Sequence, residues 1–185
     1  MLFLVLAGAD LGPIPAFERL LTWALAVLAP TLVLWQRPAD WGSLLLLSRP
    51  LKERSESQRQ LSGLQQGLIP RLTLLIGSAA LLAIFWWIDQ SSILARDLSP
   101  LLGSSRLITL LTAIPLLALM LWQWHQLTQS LWLLSRSDQA LAQAPSLSND
   151  QLKLERLCLG LALLNMPELM PAAANNKLDF KMKEQ

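Results

Sequence analysis

The chain is poor in the residues that build active sites, metal centres and disulfides. Among its 185 residues it has no tyrosine, one histidine (His125) and one cysteine (Cys158). A single cysteine excludes an internal disulfide, and a zinc site of the usual His/Cys kind needs more ligands than the chain contains. Charged residues make up 15% of the sequence, against about 25% in a typical soluble domain. We therefore predict no catalytic residues, no metal site and no cofactor, and we expect that the protein is not an enzyme.

The sequence contains three long stretches without charged residues. Residues 20–35, 72–88 and 107–124 are apolar and contain no charged side chain. A helix of about 20 apolar residues crosses the hydrocarbon core of a bilayer and satisfies its own backbone groups there. The sequence therefore predicts an all-α, polytopic membrane helical bundle with three full spans, at about 16–35, 71–88 and 107–124.

The segments around the spans complete the predicted organisation. Residues 1–9 are apolar, but nine helical residues reach only about 13 Å, so we predict a truncated N-terminal half-helix. Residues 1–125 form the transmembrane domain, which includes a polar connector at 36–70, and residues 126–185 form a tail. Within the tail, Ser148 and Gln151 have capping-box spacing, which predicts a helix over about 150–165.

The positive charges predict the orientation. Twelve Lys and Arg residues lie in the connector through Arg71 or after the third span, and three lie on the opposite side. Cytoplasmic loops carry the excess of Lys and Arg. We therefore expect the connector and the C-terminal tail to be cytoplasmic.

One part of the chain resembles a known family. The region from Pro13 to about Leu75 is similar to the cyanobacterial low-complexity tail membrane proteins, in which a span ends in a Trp-containing motif and a polar connector leads to another span. The matching positions are Pro30, Leu34, Trp35, Gln36, Arg37, Pro38, Leu51, Lys52, Gln58, Arg59 and Leu61.

The resemblance implies a lineage and a compartment rather than an activity. It implies an integral protein of a cyanobacterial thylakoid or plasma membrane. It also implies a fourth, more N-terminal span, of which residues 1–10 match only the end. We expect either that the natural chain begins upstream of Met1 or that half of this helix was lost. The tail departs from the family pattern because it is short and contains a plausible amphipathic helix.

Few polar residues near the spans are candidates for chemistry. Asp89 and Asp97 could relay protons or bind a cation, but we favour solvated carboxylates at the interface. His125 could ligate a chlorophyll or haem axially, but we favour an interfacial polar residue. Glu18 and Arg19 pair with each other or mark a helix start.

Two sets of residues are predicted to make helix contacts. Small side chains let helices approach closely, so we predict a packing face at Gly77, Ala80 and Ala83. In the tail helix an apolar face is predicted to dock, and we favour the connector as its partner because Leu61, Leu64 and Leu68 form a matching stripe. The predicted docking residues are Leu154, Leu157, Leu161 and Leu164.

These observations favour a non-enzymatic accessory or assembly protein. Its expected partners are the lipid bilayer and a larger membrane complex or further copies of the chain, and not nucleic acid. The alternative is a small transporter or channel built as an oligomer. We expect no buried Asp, Glu, Lys or Arg within the spans, which argues against ion-coupled transport.

Overall fold

The protein is a helical membrane bundle. The computed structural model describes residues 1–40, 42, 56–65, 67–137, 139–140 and 143–157. Three helices are long and apolar enough to cross a membrane, at Pro15–Gln36, Leu68–Leu98 and Arg106–Leu134. We call them the first, second and third spans. No β-strand occurs in the described residues, so the all-α fold with three spans is confirmed.

The first span changes its helical geometry in the middle. Its two α-helical parts, Pro15–Trp23 and Ala29–Gln36, flank a π-helical turn at Ala24–Leu28. The N–H of Ala29 donates to the carbonyl of Ala24, five residues earlier. Proline has no N–H and its ring crowds the preceding turn, so the wide turn absorbs Pro30 while the helix continues.

The second and third spans form the largest helix–helix contact of the bundle. The second span is α-helical over Leu68–Ser91 and continues as a 3-10 helix over Ser92–Leu98. The third span is a single α-helix despite an internal proline, Pro115. The apolar core between the spans includes Val27, Leu74, Phe85, Leu117 and Leu121.

A short N-terminal helix, Leu2–Leu6, packs on the outer part of this core. It lies against the third span and the 3-10 helix. The hydroxyl of Ser99 donates to the carbonyl of Leu4 at 2.7 Å, and the N–H of Gly103 donates to the carbonyl of Gly8 at 3.1 Å. The half-helix is therefore held by the loop between the second and third spans.

The tail returns to the connector at the other end of the bundle. The connector helix is Glu56–Leu64, and the tail helix, Asn149–Glu155, begins with the predicted Ser148–Gln151 capping box. Of the helix predicted over about 150–165, the described part is helical to Glu155 and extended at Arg156, and it then pairs with the residues after the first span. Residues 158–165 lie outside the described residues. The N–H of Leu157 donates to the Pro38 carbonyl at 3.0 Å, and its own carbonyl accepts from the N–H of Asp40 at 3.2 Å.

Candidate functional site: an ionic cluster and a buried polar chain

Four charged side chains meet where the three spans lie next to the N-terminal helix and the 92–104 loop. Asp89 is completely buried, and its two carboxylate oxygens accept from both terminal nitrogens of Arg106 at 2.8 Å. The Nε of Arg19 donates to Asp89 Oδ2 at 2.7 Å. The Nε of Arg106 donates to Glu18 Oε2 at 3.1 Å. We call these four residues the ionic cluster.

The local sequence of each span positions the cluster. Glu18 and Arg19 lie in the first turns of the first span, Asp89 in the last turn of the α-helical part of the second span, and Arg106 at the start of the third. The guanidinium of Arg19 also lies over the Trp86 ring, 4.9 Å from its centroid. Two carboxylates and two guanidiniums neutralise each other, so the cluster ties together three helices with no net charge.

The cluster corrects two interpretations made from the sequence. The prediction that Asp89 is a solvated carboxylate is wrong, because its side chain has no exposed surface and binds two arginines. Glu18 and Arg19 do more than mark a helix start, since each binds a residue of another span. Asp97, in contrast, is exposed. Arg106 was not predicted to be a site residue. A usable signal was present in the sequence, because residues of opposite charge lie near the ends of all three predicted spans on the same side of the membrane.

A second polar group lies between the connector and the third span. Gln65, His125 and Gln129 are each about 99% buried. The side-chain nitrogen of Gln65 donates to Gln129 Oε1 at 3.0 Å, and Gln129 Nε2 lies 2.9 Å from His125 Nε2. An amide nitrogen can only donate, so His125 Nε2 accepts. These three residues form a polar chain from the connector into the third span.

This geometry changes the expectation for His125. The ring is enclosed rather than at the surface of the bundle, and Nε2 is already engaged by Gln129. The opposite nitrogen, Nδ1, has no partner among the described residues, but it is buried as well. A tetrapyrrole metal therefore has no open approach to either nitrogen. Within the described part of the chain, no group of three or more His, Cys, Asp or Glu residues could hold a metal ion.

The predicted packing residues lie in different surroundings. Gly77 is buried, and a Cβ atom built on it would lie 2.1 Å from the Trp124 indole. The indole N–H of Trp124 donates to the Thr73 carbonyl at 2.9 Å, which holds the ring against the second span. Ala80 and Ala83 are exposed on the surface of the chain. That these two residues pack against another helix remains a prediction, and that helix would belong to a partner protein.

The predicted docking residues of the tail are likewise divided. Leu154 is 67% exposed, and Leu157 is half-buried against the apolar core. Leu161 and Leu164 lie outside the described residues. The tail nevertheless contacts the connector. The Arg156 guanidinium donates to the Ser62 carbonyl, and a Cβ on Gly63 would lie 2.4 Å from the carbonyl oxygen of Pro145. Leu152, which was not predicted, is the fully buried leucine of the tail helix.

Three apolar spans and a charge-neutral cluster at their ends define a polytopic helical membrane protein. The chain matches the low-complexity tail membrane protein-like family over residues 1–168, and it belongs to that family. Comparisons with curated proteins and with solved structures gave no match. The family assignment covers the second and third spans as well as the first, which extends the resemblance seen in residues 13–75.

Proposed function

We propose that the protein is a non-enzymatic accessory or assembly component of a membrane complex. The observation that carries the proposal is the closed ionic cluster. Ion-coupled transport generally uses an ionisable group that can exchange its ion or proton inside the membrane. Here Asp89 is bound by two guanidiniums, and Glu18 is bound by one of them. Such a cluster is suited to holding helices together.

The outward surface of the spans supports the same proposal. Only 33% of the apolar window of each span is buried within the chain. Large side chains such as Ile76, which is 62% exposed, and Leu32, which is 58% exposed, therefore face lipid or a partner helix. Buried apolar side chains lie between the three spans, and the surface that a partner could contact is the outside of the bundle. Helix–helix contacts in membranes use such surfaces, with small residues at the closest approach.

The proposed setting follows from charge and family. Twelve Lys and Arg residues against three support a cytoplasmic connector and tail. The resemblance to the cyanobacterial low-complexity tail proteins supports a thylakoid or plasma membrane of such an organism. In this orientation the ionic cluster lies on the non-cytoplasmic side and the polar chain of Gln65, His125 and Gln129 on the cytoplasmic side.

Site-specific photo-crosslinking in native membranes tests the assembly role. A photoreactive residue is placed at Ile76 or Ala80, both exposed, and at Leu117, which is fully buried, as the matched control. We expect a discrete larger protein adduct from the exposed positions and none from Leu117. An adduct of twice the chain mass identifies a homo-oligomer. The absence of protein adducts at both exposed positions, together with solute flux through proteoliposomes, would favour the transporter alternative.

A further inference from the structure

The arginines at the two ends of the bundle are paired differently. At the loop end, Arg19 and Arg106 bind Asp89, and Arg96 binds Asp10 at 2.7 Å. At the connector end, Arg37 and Arg71 have no carboxylate partner among the described residues. Both are exposed. The described arginines of the loop end are therefore neutralised within the chain, whereas Arg37 and Arg71, among the described residues of the connector end, are available to an external anion.

These two arginines line one cleft. The cleft has a volume of about 410 Å³ and lies where the first span ends and the second begins. Arg71 lies over the Trp35 ring, 5.7 Å from its centroid, and this stacking leaves the guanidinium edge available to an acceptor. The remaining lining residues are Gln36, Pro38, Leu154 and Glu155. Two arginines and one glutamate give the cleft a formal charge of +1.

An apolar groove of about 380 Å³ lies along the apolar part of the first span. Its lining residues are Leu25, Ala29, Pro30, Val33, Leu34, Trp122 and Leu157. Leu25, Ala29 and Val33 follow one another at intervals of four residues along one face of the first span, and the cleft begins where this helix ends, at Gln36. The groove runs from Leu25 to Val33, which is roughly 12 Å of helix and close to the thickness of one hydrocarbon leaflet, about 15 Å.

We propose that this face binds one anionic phospholipid of the connector-side leaflet. Arg37 and Arg71 hold the phosphate, and one acyl chain lies in the groove beneath it. A guanidinium binds phosphate oxygens through paired N–H groups, and a cation at headgroup level is attracted to anionic lipid. The two exposed arginines complement the charge of a phosphodiester such as phosphatidylglycerol.

Native mass spectrometry of the full chain tests this proposal. The protein is reconstituted with phosphatidylglycerol and phosphatidylcholine of identical acyl chains and then released into mild detergent. We expect one retained phosphatidylglycerol, bound at least tenfold more than phosphatidylcholine. The double variant Arg37→Gln/Arg71→Gln should lose this preference. Arg136→Gln is the matched control, because Arg136 is an exposed arginine that stacks on Trp132, and it should retain the preference.

Two further experiments distinguish binding of the whole lipid from binding of the headgroup alone and from a folding defect. Ala29→Trp fills the groove without touching either arginine, and it should weaken lipid retention while the thermal unfolding temperature stays unchanged. Glycerol phosphate at millimolar concentration should displace little lipid, because it has no acyl chain. Full displacement by glycerol phosphate would show a phosphate site without a lipid. Equal retention of both lipids, or unchanged retention by the double variant or by Ala29→Trp, would overturn the proposal.

Discussion

Asp89 and Arg106 form a bidentate ion pair across the ends of the second and third spans, with both oxygen–nitrogen distances at 2.8 Å. Arg106 follows Asp89 by 17 positions, across the end of the second span and the loop that leads to the third. The same carboxylate also binds Arg19 from the first span. One aspartate therefore connects all three spans.

Replacing Asp89 with asparagine should destabilise the bundle strongly. Removing one partner of a buried ion pair leaves an uncompensated charge and costs about 3–5 kcal/mol. Thermal unfolding in detergent, followed by tryptophan fluorescence, measures the change. Asp97→Asn is the control, since Asp97 is exposed on the same side and should have little effect. Equal unfolding temperatures for wild type and Asp89→Asn would show that the cluster does not contribute to stability.

Leucine substitutions at Gly77 and Ala80 should have different effects. A Cβ atom added at Gly77 would lie 2.1 Å from the Trp124 indole, so Gly77→Leu must displace that ring and should lower the unfolding temperature. Ala80 is exposed in the chain, so Ala80→Leu should leave the unfolding temperature unchanged and reduce only partner binding on native gels.

A double-mutant cycle isolates the contact between Gly77 and Trp124. In a Trp124→Ala background, Gly77→Leu should cost less free energy of unfolding than in the wild type, because the space is then open. Additive costs would argue that the damage comes from elsewhere in the second span.

Leu152→Ser should loosen the tail and the connector together. Leu152 is fully buried, and burial of a leucine is worth roughly 1.5–3 kcal/mol. Leu154→Ser is the matched control in the same helix, because Leu154 is 67% exposed. Hydrogen exchange should increase in both the connector helix and the tail helix for the first variant and in neither for the second. An increase confined to the tail would show that Leu152 does not hold the connector.

The topology predicts which cysteines an impermeant maleimide reaches in intact cells. In a Cys158→Ala background, Leu94→Cys should be labelled, because Leu94 is 89% exposed on the loop side. Ser57→Cys in the connector should be labelled only after the membrane is permeabilised. Labelling of Ser57→Cys in intact cells would reverse the assignment.

Hydropathy predicted the spans because membrane insertion depends on local composition. The first predicted span, about 16–35, differs from the helix Pro15–Gln36 by a single residue at each end. The second and third helices run further, to Leu98 and Leu134, since polar residues continue a helix once it has left the hydrocarbon core.

The sequence pattern could not predict contacts between segments that are far apart in the chain. In the sequence, Asp89 has the position of an ordinary interfacial residue. Only the folded structure brings Arg19, which is 70 residues away, to its carboxylate. The tail helix ends at Glu155 because Leu157 makes backbone bonds with Pro38 and Asp40, a pairing that no local propensity encodes. A run of small residues singled out Gly77 in the sequence, but it could not specify that Trp124 of the third span lies beside it.

The ionic cluster also has a mechanical consequence. If the second span slid along its axis or rotated, the buried Arg19 would lose its carboxylate partner, and Arg106 would keep only Glu18. That end of the bundle therefore acts as a fixed pivot. The opposite end is held by neutral hydrogen bonds among Gln65, Gln129 and His125 and by the returning tail. We therefore expect any spreading of the three spans to begin at the connector side, away from Asp89.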